Sequence, residues 1–151
     1  MEKLDDKDQK IIEVLREDAS LSTYQISKKA NIPVTTVHNR LKKLKDTGVI
    51  KKYTIDIDFA KIGREIGAIT FMSVDCAMLK KNKLDANTLA EKMSKHPYVE
   101  HVFVPTGEHD IIMEIRCPSM SELNKFLFGY LRSLPGVSMT HTAPLLAEWK
   151  H

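Results

Sequence analysis

The chain has 151 residues, 42% apolar and 28% charged, with two cysteines and a formal net charge of +3. This size allows one or two compact domains, each with a buried core. No apolar run approaches the roughly 20 residues of a membrane span, and the acidic residues after Met1 are unlike a signal or transit peptide. A cytoplasmic protein with no membrane partner is therefore predicted. Cys76 and Cys117 lack metal-site spacing, which predicts two buried, reduced thiols and no metal, with a disulfide or metal pair as the minor alternative.

The positive charge is concentrated in the first part of the chain. Residues 1–64 contain 14 Lys or Arg against 10 Asp or Glu, whereas residues 65–151 contain 9 against 10. Between Asp18 and Asp46 there is no acidic residue. Two regions with different charge favour two domains with different partners, and the acid-free stretch favours a polyanion as the partner of the first.

Three helices and a strand are predicted for the N-terminal region. Asp5 and Asp8 open the first helix, because acidic residues favour the first turn. Ser22 and Gln25 have the spacing of a capping box and open a short second helix. The predicted elements are helices at about residues 5–19, 23–30 and 34–47, then a strand through Tyr53, Ile55 and Ile57, whose apolar residues alternate with polar ones.

The third helix has one apolar and one polar face. At about 100° of rotation per residue, four apolar residues from Val34 to Leu44 fall on one side. The other side has hydroxyl, amide and cationic groups but no acid, which is what a major groove requires of a recognition helix. A solvated lysine-rich surface is the alternative for this helix alone. We predict base contacts from Thr35, Thr36, His38, Asn39 and Arg40, and phosphate contacts from Lys28, Lys42, Lys43 and Lys51.

The region after Arg64 follows a different order: strand, helix, strand, strand, helix, strand. Asp85 opens the first helix of this region, and Ser119 or Ser121 opens the second. This order is that of a split βαβ, ferredoxin-like domain, in which both helices cover one face of an antiparallel sheet. No remaining segment covers the other face, so self-association through the sheet is predicted. Strands are expected at residues 66–77, 98–105, 111–117 and 137–149.

The predicted fold class is therefore α+β, in two domains. A winged helix-turn-helix DNA-binding domain occupies residues 1–53, and a linking strand or hinge occupies residues 54–63. The ferredoxin-like domain for ligand binding and assembly occupies residues 64–151.

Four motifs occur in order along the chain: LDDKDQKIIEVLREDAS, RLKKLKDTGVIKKYTIDID, TGEHDIIMEI and LRSLPGVSMTHT. Their joint order resembles the Lrp/AsnC family, the leucine-responsive or feast/famine regulators of bacteria and archaea, over essentially the whole chain. The resemblance implies transcriptional regulation responsive to amino acids. It also implies double-stranded DNA as a partner and a homodimer that assembles into octamers or larger rings. His109 departs from the pattern, since many members have an aromatic or apolar residue there.

The turn TGEHD, residues 106–110, is the predicted effector site. Gly107 allows a tight turn that brings backbone amides near a ligand carboxylate, while Glu108 or Asp110 would receive a ligand ammonium. By the resemblance, this turn and the last strand lie where dimers meet and amino acids bind. An ordinary hairpin turn with two strand threonines is the alternative. The predicted effector-binding residues are Thr106, Gly107, Glu108, Asp110, Thr140 and Thr142, with an α-amino acid as effector and no other cofactor.

An enzyme is not predicted. Glu108, His109 and Asp110 are consecutive, so in extended backbone they cannot all face one pocket. The sequence has no nucleophile motif, phosphate-binding glycine loop or HExxH spacing. Two other functions stay open: an amino-acid-sensing module whose N-terminal domain binds a protein, and an architectural protein that binds DNA without sequence preference. Salt separates DNA from protein partners, because DNA affinity falls steeply with ionic strength.

Overall fold

A computed structural model describes residues 4–149, and the chain divides into two compact units, residues 1–56 and 57–151. The described part of the first unit is helical, with no strand assigned in it. Its helices are α1 (Asp6–Glu17), α2 (Thr23–Ala30) and α3 (Val34–Asp46).

Helices α1 and α2 begin at the residues that the sequence predicts. The side chain of Asp5 accepts the N–H groups of Lys7 and Asp8 at 3.0 and 2.9 Å, and Asp8 completes a capping box. Ser22 and Gln25 form a second capping box at the start of α2. Asn31 ends α2 in the left-handed conformation, with φ of 54°, which a short amide side chain tolerates better than most.

The core of the first unit lies where the three helices meet. Ile11, Ile26, Val37 and Leu44 are buried there. Val34 was expected in this core but is 43% exposed. The reason is geometric: Val34 is the first residue of α3 and points about 70° away from the mean direction of Val37 and Leu44.

The strand expected through Tyr53, Ile55 and Ile57 is absent from the described chain. Residues 51–58 form neither helix nor strand, and a single 3₁₀ turn follows at Ala60–Ile62. Alternation of apolar and polar residues gives a segment two faces, but a strand also needs a hydrogen-bonded neighbour. The prediction of a linking strand within residues 54–63 is therefore wrong.

The second unit is a four-stranded antiparallel sheet in the order β2-β3-β1-β4. The predicted order of strands and helices is confirmed, with one additional helix, α4. Two short turns, Phe126–Tyr130 (π) and Leu131–Ser133 (3₁₀), continue the last helix. The elements are β1 (Ile66–Val74), α4 (Cys76–Lys81), α5 (Ala86–Ser94), β2 (Val99–Phe103), β3 (Ile111–Cys117), α6 (Met120–Lys125) and β4 (Val137–Pro144).

Three predicted strands are too long, although the second, predicted at 98–105 and observed at Val99–Phe103, differs only at its ends. The first ends at Val74 because the Asp75 side chain accepts the N–H groups of Ala77 and Met78 at 2.8 and 3.0 Å, which opens α4. An aspartate in the N-cap position favours a helix even after an apolar run. The last strand ends at Pro144, and proline lacks the N–H that would continue the ladder.

The sheet has one covered and one uncovered face. Met72, Met113 and Ile115 are buried together with α5 and α6 residues such as Leu89 and Leu123. On the opposite face, which we call the outer sheet face, Phe103 and Met139 are exposed. No helix within residues 4–149 is long and apolar enough to span a membrane.

Candidate DNA-reading helix and effector turn

The exposed side of α3 combines the residues expected to contact DNA. Thr35, His38, Asn39 and Lys42 are exposed, while Thr36 and Lys43 are half-buried at the margin. The buried residues of the same helix point the other way, into the core with α1 and α2. Packing therefore fixes which side of α3 is available to a ligand.

The N-terminus of α3 differs from the other helix starts. Among the α-helices of residues 4–149, it alone lacks a side-chain N-cap, because Pro33 occupies that position. The first N–H groups of a helix have no partner within the helix and carry a partial positive charge. An uncapped start next to Thr35 and Thr36 is suited to an anion such as a phosphate.

The remaining predicted phosphate contacts are distributed around this helix. Lys28 is exposed on α2, where its ammonium lies 4.8 Å from the centre of the Tyr24 ring. Lys51 is exposed in the segment that follows α3. Lys45 lies over the Tyr53 ring at the same distance. An aromatic ring restrains a long cationic side chain without neutralising it.

Arg40 occupies a different environment from the other predicted base contacts. Its Nη1 atom lies 2.6 Å from Asp5 Oδ2 and 3.2 Å from Asp8 Oδ1. The structure thus directs Arg40 toward the first turn of α1, at the margin of the exposed side of α3. Sequence spacing does not reveal this contact, because 32 positions separate the two partners Arg40 and Asp8.

The predicted effector turn, residues 106–110, precedes β3. Thr106, Gly107 and Glu108 are exposed, and Gly107 has φ of 142°, which favours glycine. The Asp110 carboxylate accepts the backbone N–H of Val74 at 2.8 Å. Its own N–H donates to the Met72 carbonyl at 2.9 Å. Asp110 therefore fastens the turn to the end of β1, and Glu108 is the more accessible carboxylate.

The two threonines of β4 are neighbours of β1. Thr142 shares a hydroxyl hydrogen bond of 2.9 Å with the buried Thr70. Thr140 lies opposite Met72 in the register, the residue whose carbonyl accepts the Asp110 N–H. Both threonines point to the same side of the strand, as predicted, because they are two positions apart.

An arginine cluster on the outer sheet face was missed by sequence reasoning. Arg116 is 7% exposed and donates to Glu114 at 2.8 Å and to Glu148. Its guanidinium also lies 5.0 Å from the centre of the Phe59 ring. Burial alone would lower the pKa of Arg116, but its hydrogen bonds to Glu114 and Glu148 outweigh burial and raise the pKa above its ordinary value.

The two cysteines differ from their prediction in one respect. Both are free, but only Cys117 is buried, whereas Cys76 is exposed at the start of α4. Burial raises the pKa of the Cys117 thiol and keeps it unreactive. Among the described residues, no group of three or more His, Cys, Asp or Glu is arranged to hold a metal ion.

A helix-turn-helix with a cationic recognition side that has no acidic residue before Asp46, the last residue of α3, followed by a ferredoxin-like domain, defines a class of two-domain DNA-binding regulators. Family models agree with this classification. Residues 4–51 match a winged helix-turn-helix DNA-binding domain, and residues 72–151 match the Lrp/AsnC ligand-binding domain. The chain belongs to the Lrp/AsnC family of transcriptional regulators. The predicted family, fold class and DNA-binding regulatory function are thereby confirmed.

Individual relatives match over nearly the whole chain. The HTH-type transcriptional regulator FL11 of Pyrococcus horikoshii is 34% identical over 147 residues, which cover 97% of this chain and 92% of the relative. A transcriptional regulator of Neisseria meningitidis, solved as a complex with L-Met, is 27% identical with a TM-score of 0.87, covering 99% and 94% of the two chains. E. coli AsnC shares the fold, with a TM-score of 0.81 at 22% identity and coverage of 97% and 95%.

Proposed function

We propose that this regulator reads double-stranded DNA with the exposed side of α3 and changes its DNA binding when an α-amino acid binds its ferredoxin-like domain. The observation that carries the DNA part is the combination on α3 of a polar side without acidic residues before its last residue, Asp46, and an N-terminus without a side-chain cap. Thr35, Thr36, His38 and Asn39 are the proposed base contacts. The proposed phosphate contacts are Lys28, Lys42, Lys43 and Lys51.

The effector site is proposed at the turn of residues 106–110 together with Thr140 and Thr142. Backbone amides around Gly107 would bind the ligand carboxylate, and Glu108 would bind the ammonium. Asp110 would act by holding the turn on β1 through the Val74 N–H. The L-Met complex of the Neisseria relative supports an amino acid as the class of ligand.

A homodimer that assembles further, to an octamer or another higher oligomer, is proposed for the active form. The support is the outer sheet face, which exposes Phe103 and Met139 beside half-buried Phe71 and Ile112. Apolar side chains on one side of a sheet favour burial against a second copy. A two-fold dimer would present two α3 helices to half-sites about one helical turn apart, or a small multiple of that distance.

The chain is proposed to act by binding and without catalysis, in the cytoplasm, where it meets DNA. Selection of bound sequences from random duplexes tests the function directly. We expect the purified full-length protein to enrich a pseudo-palindromic site with half-sites spaced by whole helical turns. The enriched duplex, called the operator below, then allows amino acids to be screened for their effect on affinity.

Two other results would contradict the proposal in different ways. A bound pool without sequence preference would indicate an architectural DNA-binding protein. An empty bound pool at low salt would indicate a sensing module whose N-terminal unit binds another protein, because phosphate contacts alone give measurable affinity at low salt.

A further inference from the structure

The side chains of Asp5, Asp8 and Arg40 form a compact ionic cluster, which we call the α1–α3 latch. Arg40 Nη1 lies 2.6 Å from Asp5 Oδ2 and 3.2 Å from both carboxylate oxygens of Asp8. The side chain of Asp8 is 1% exposed and that of Arg40 is 27% exposed. The latch therefore lies at the edge of the helical core and does not belong to a freely solvated surface.

Asp8 has two roles in the latch. Its Oδ2 accepts the backbone N–H of Asp5 at 3.3 Å, which completes the capping box of α1. The same carboxylate binds Arg40 through both oxygens. The start of α1 and the middle of α3 are consequently held by one carboxylate, so a shift of either helix alters both interactions.

The charge balance makes Arg40 a required partner of Asp8. A buried carboxylate is stable only when a cation or several hydrogen bonds replace its water. Burial alone would lower the pKa of Arg40, but the carboxylates of Asp8 and Asp5 raise it by more. The pKa of Asp5 is lowered, first by the hydrogen bond from the Asp8 N–H and then by Arg40, so the Asp5 carboxylate and the Arg40 guanidinium are each stabilised in the charged form.

The direction of Arg40 places it at the margin of the exposed side of α3, next to the half-buried Thr36 and far from Thr35 and Lys42. At about 100° per residue, Arg40 points roughly 140° away from Thr35 and 160° away from Lys42. It lies instead about 50° from the mean direction of the buried Val37 and Leu44.

We infer that Arg40 is a positioning residue: through Asp8 and Asp5 it fixes the rotation and tilt of α3 on α1, and so sets which side chains reach the DNA bases. This inference rests on the proposed reading of DNA by α3. It replaces the prediction that Arg40 itself contacts bases. Sequence preference then depends on two aspartates that never touch DNA.

The two possible roles of Arg40 predict opposite effects of removing Asp8. If Arg40 contacted DNA, the aspartates would compete with DNA for its guanidinium, and Asp8→Asn would strengthen binding. If Arg40 positions α3, Asp8→Asn loosens the helix and weakens recognition of the operator. Glu17→Gln is the matched control, since it removes one negative charge from an exposed carboxylate of the same helix, 3.8 Å from Lys29.

The experiment measures the affinity of full-length protein for the operator and for a random duplex across a series of salt concentrations. The variants are Asp8→Asn, Arg40→Met, their double variant and Glu17→Gln. We expect Asp8→Asn and Arg40→Met each to weaken operator binding about tenfold, the order of one lost base contact. The double variant should be no weaker than either single variant, because both act through one interaction. On the random duplex, the Asp8→Asn variant should bind as tightly as the Glu17→Gln control.

Several results would overturn the inference. Asp8→Asn binding the operator more tightly than Glu17→Gln would show that Arg40 contacts DNA. So would a salt slope reduced by about one in Arg40→Met, the mark of a lost phosphate contact. Additive losses in the double variant would show independent roles. If Arg40→Met fails to fold, Asp8→Asn alone decides, because asparagine keeps an acceptor for the cap. Failure of the wild-type protein to prefer the operator would instead contradict the proposed function.

Discussion

Each of the two units contains an arginine bound by two carboxylates, but the two clusters connect different things. Arg40 joins α1 to α3 within a small helical unit and remains a quarter exposed. Arg116 is almost fully buried and joins β3 to Glu148 near the end of the chain, while Phe59 from the segment before β1 lies over its guanidinium. Similar ionic groups can thus serve different ends: Arg40 is proposed to orient α3, whereas Arg116 joins the segments before β1 and after β4 to the sheet.

The two arginines also differ in how far they are removed from solvent. A cation removed from water needs nearly all its hydrogen-bond donors satisfied, and a partner left alone in the same place is strongly unfavourable. Arg116 meets this condition with Glu114, which also binds His101 at 3.1 Å. The Arg40 side chain is 27% exposed, so its guanidinium keeps part of its solvent contact, although its partner Asp8 is buried.

The largest expected effect is on stability, from Arg116→Met. This change leaves Glu114 and Glu148 close together without a cation. We expect a loss of about 2–3 kcal/mol in the free energy of unfolding, below the 3–5 kcal/mol of a fully enclosed pair because Glu148 keeps some solvent contact. Urea unfolding of the full chain, followed by circular dichroism at fixed protein concentration, measures it. Lys125→Met, which breaks the exposed pair with Glu122, is the control and should leave the midpoint unchanged. A loss as small as that control would show that Arg116 is not a structural tie.

Next in size is the effect of Asn39→Ala on DNA recognition. Asn39 is exposed on α3, on the side away from Arg40, and a good base contact is worth about 1–3 kcal/mol of discrimination. We expect operator affinity to fall while random-duplex affinity and the salt slope stay constant. Lys42→Ala should instead weaken binding to the operator and to the random duplex by the same factor, and it should lower the salt slope by about one. Equal loss on both duplexes for Asn39→Ala would remove it from the base-reading role.

A third substitution tests whether Arg116 is held in place. A Cβ added to Gly67 would lie 2.5 Å from Arg116 Nη1 and 3.2 Å from Leu145 Cδ1. Because Glu114 and Glu148 hold the guanidinium, it cannot move aside freely, and Gly67→Ala should cost about 1 kcal/mol of unfolding free energy. In an Arg116→Met background the same substitution should cost much less. An equal cost in both backgrounds would mean that the crowding lies elsewhere.

The smallest expected effect concerns His96, a half-buried group with no charged partner among the described contacts. Its ring packs 4.6 Å from Phe126 and from Tyr130, and Nδ1 accepts the Tyr98 N–H at 3.1 Å. Burial lowers the pKa of His96 below its ordinary value of 6.5. As the pH falls through 6.5, the unfolded chain therefore takes up a proton before the folded chain does, and stability decreases.

His96→Asn should remove this acid-induced loss, because asparagine keeps an acceptor for Tyr98 and does not titrate. Between about pH 7.5 and 5.5, the wild type should lose more of its free energy of unfolding than the variant, by under about 1 kcal/mol. This is within the limit of about 1.4 kcal/mol per pH unit that the uptake of one proton allows. Unfolding curves at several pH values measure it. Parallel pH profiles for wild type and variant would contradict a lowered pKa of His96 in the folded protein.

Local signals explain why most helices were predictable from the sequence. The capping boxes at Asp5 and Ser22, and the left-handed Asn31, depend on residues within a few positions of each other. The apolar spacing of α3 also identified its buried side, apart from Val34. In the second unit, the caps at Asp85 and Ser119 and the apolar strands gave the order of the ferredoxin-like domain.

Contacts between distant residues account for what the sequence did not reveal. Arg40 and Arg116 are each 32 positions from a carboxylate that they bind, so their surroundings follow from packing alone. The segment of residues 51–58 has the alternation of a strand but joins no sheet in the described chain. The Asp110 carboxylate was expected at a ligand, yet it binds the N–H of Val74 on β1. The effector-site assignment stays a prediction.

The central claim, that α3 is the element that reads DNA, is tested most directly by hydrogen exchange of the full-length protein with and without the operator. The N–H groups at the start of α3 have no side-chain cap, so they should exchange quickly in the free protein. We predict that the operator slows exchange in peptides covering residues 32–40 and leaves those covering β3 unchanged. Unchanged exchange in residues 32–40 on a saturating operator would contradict the claim.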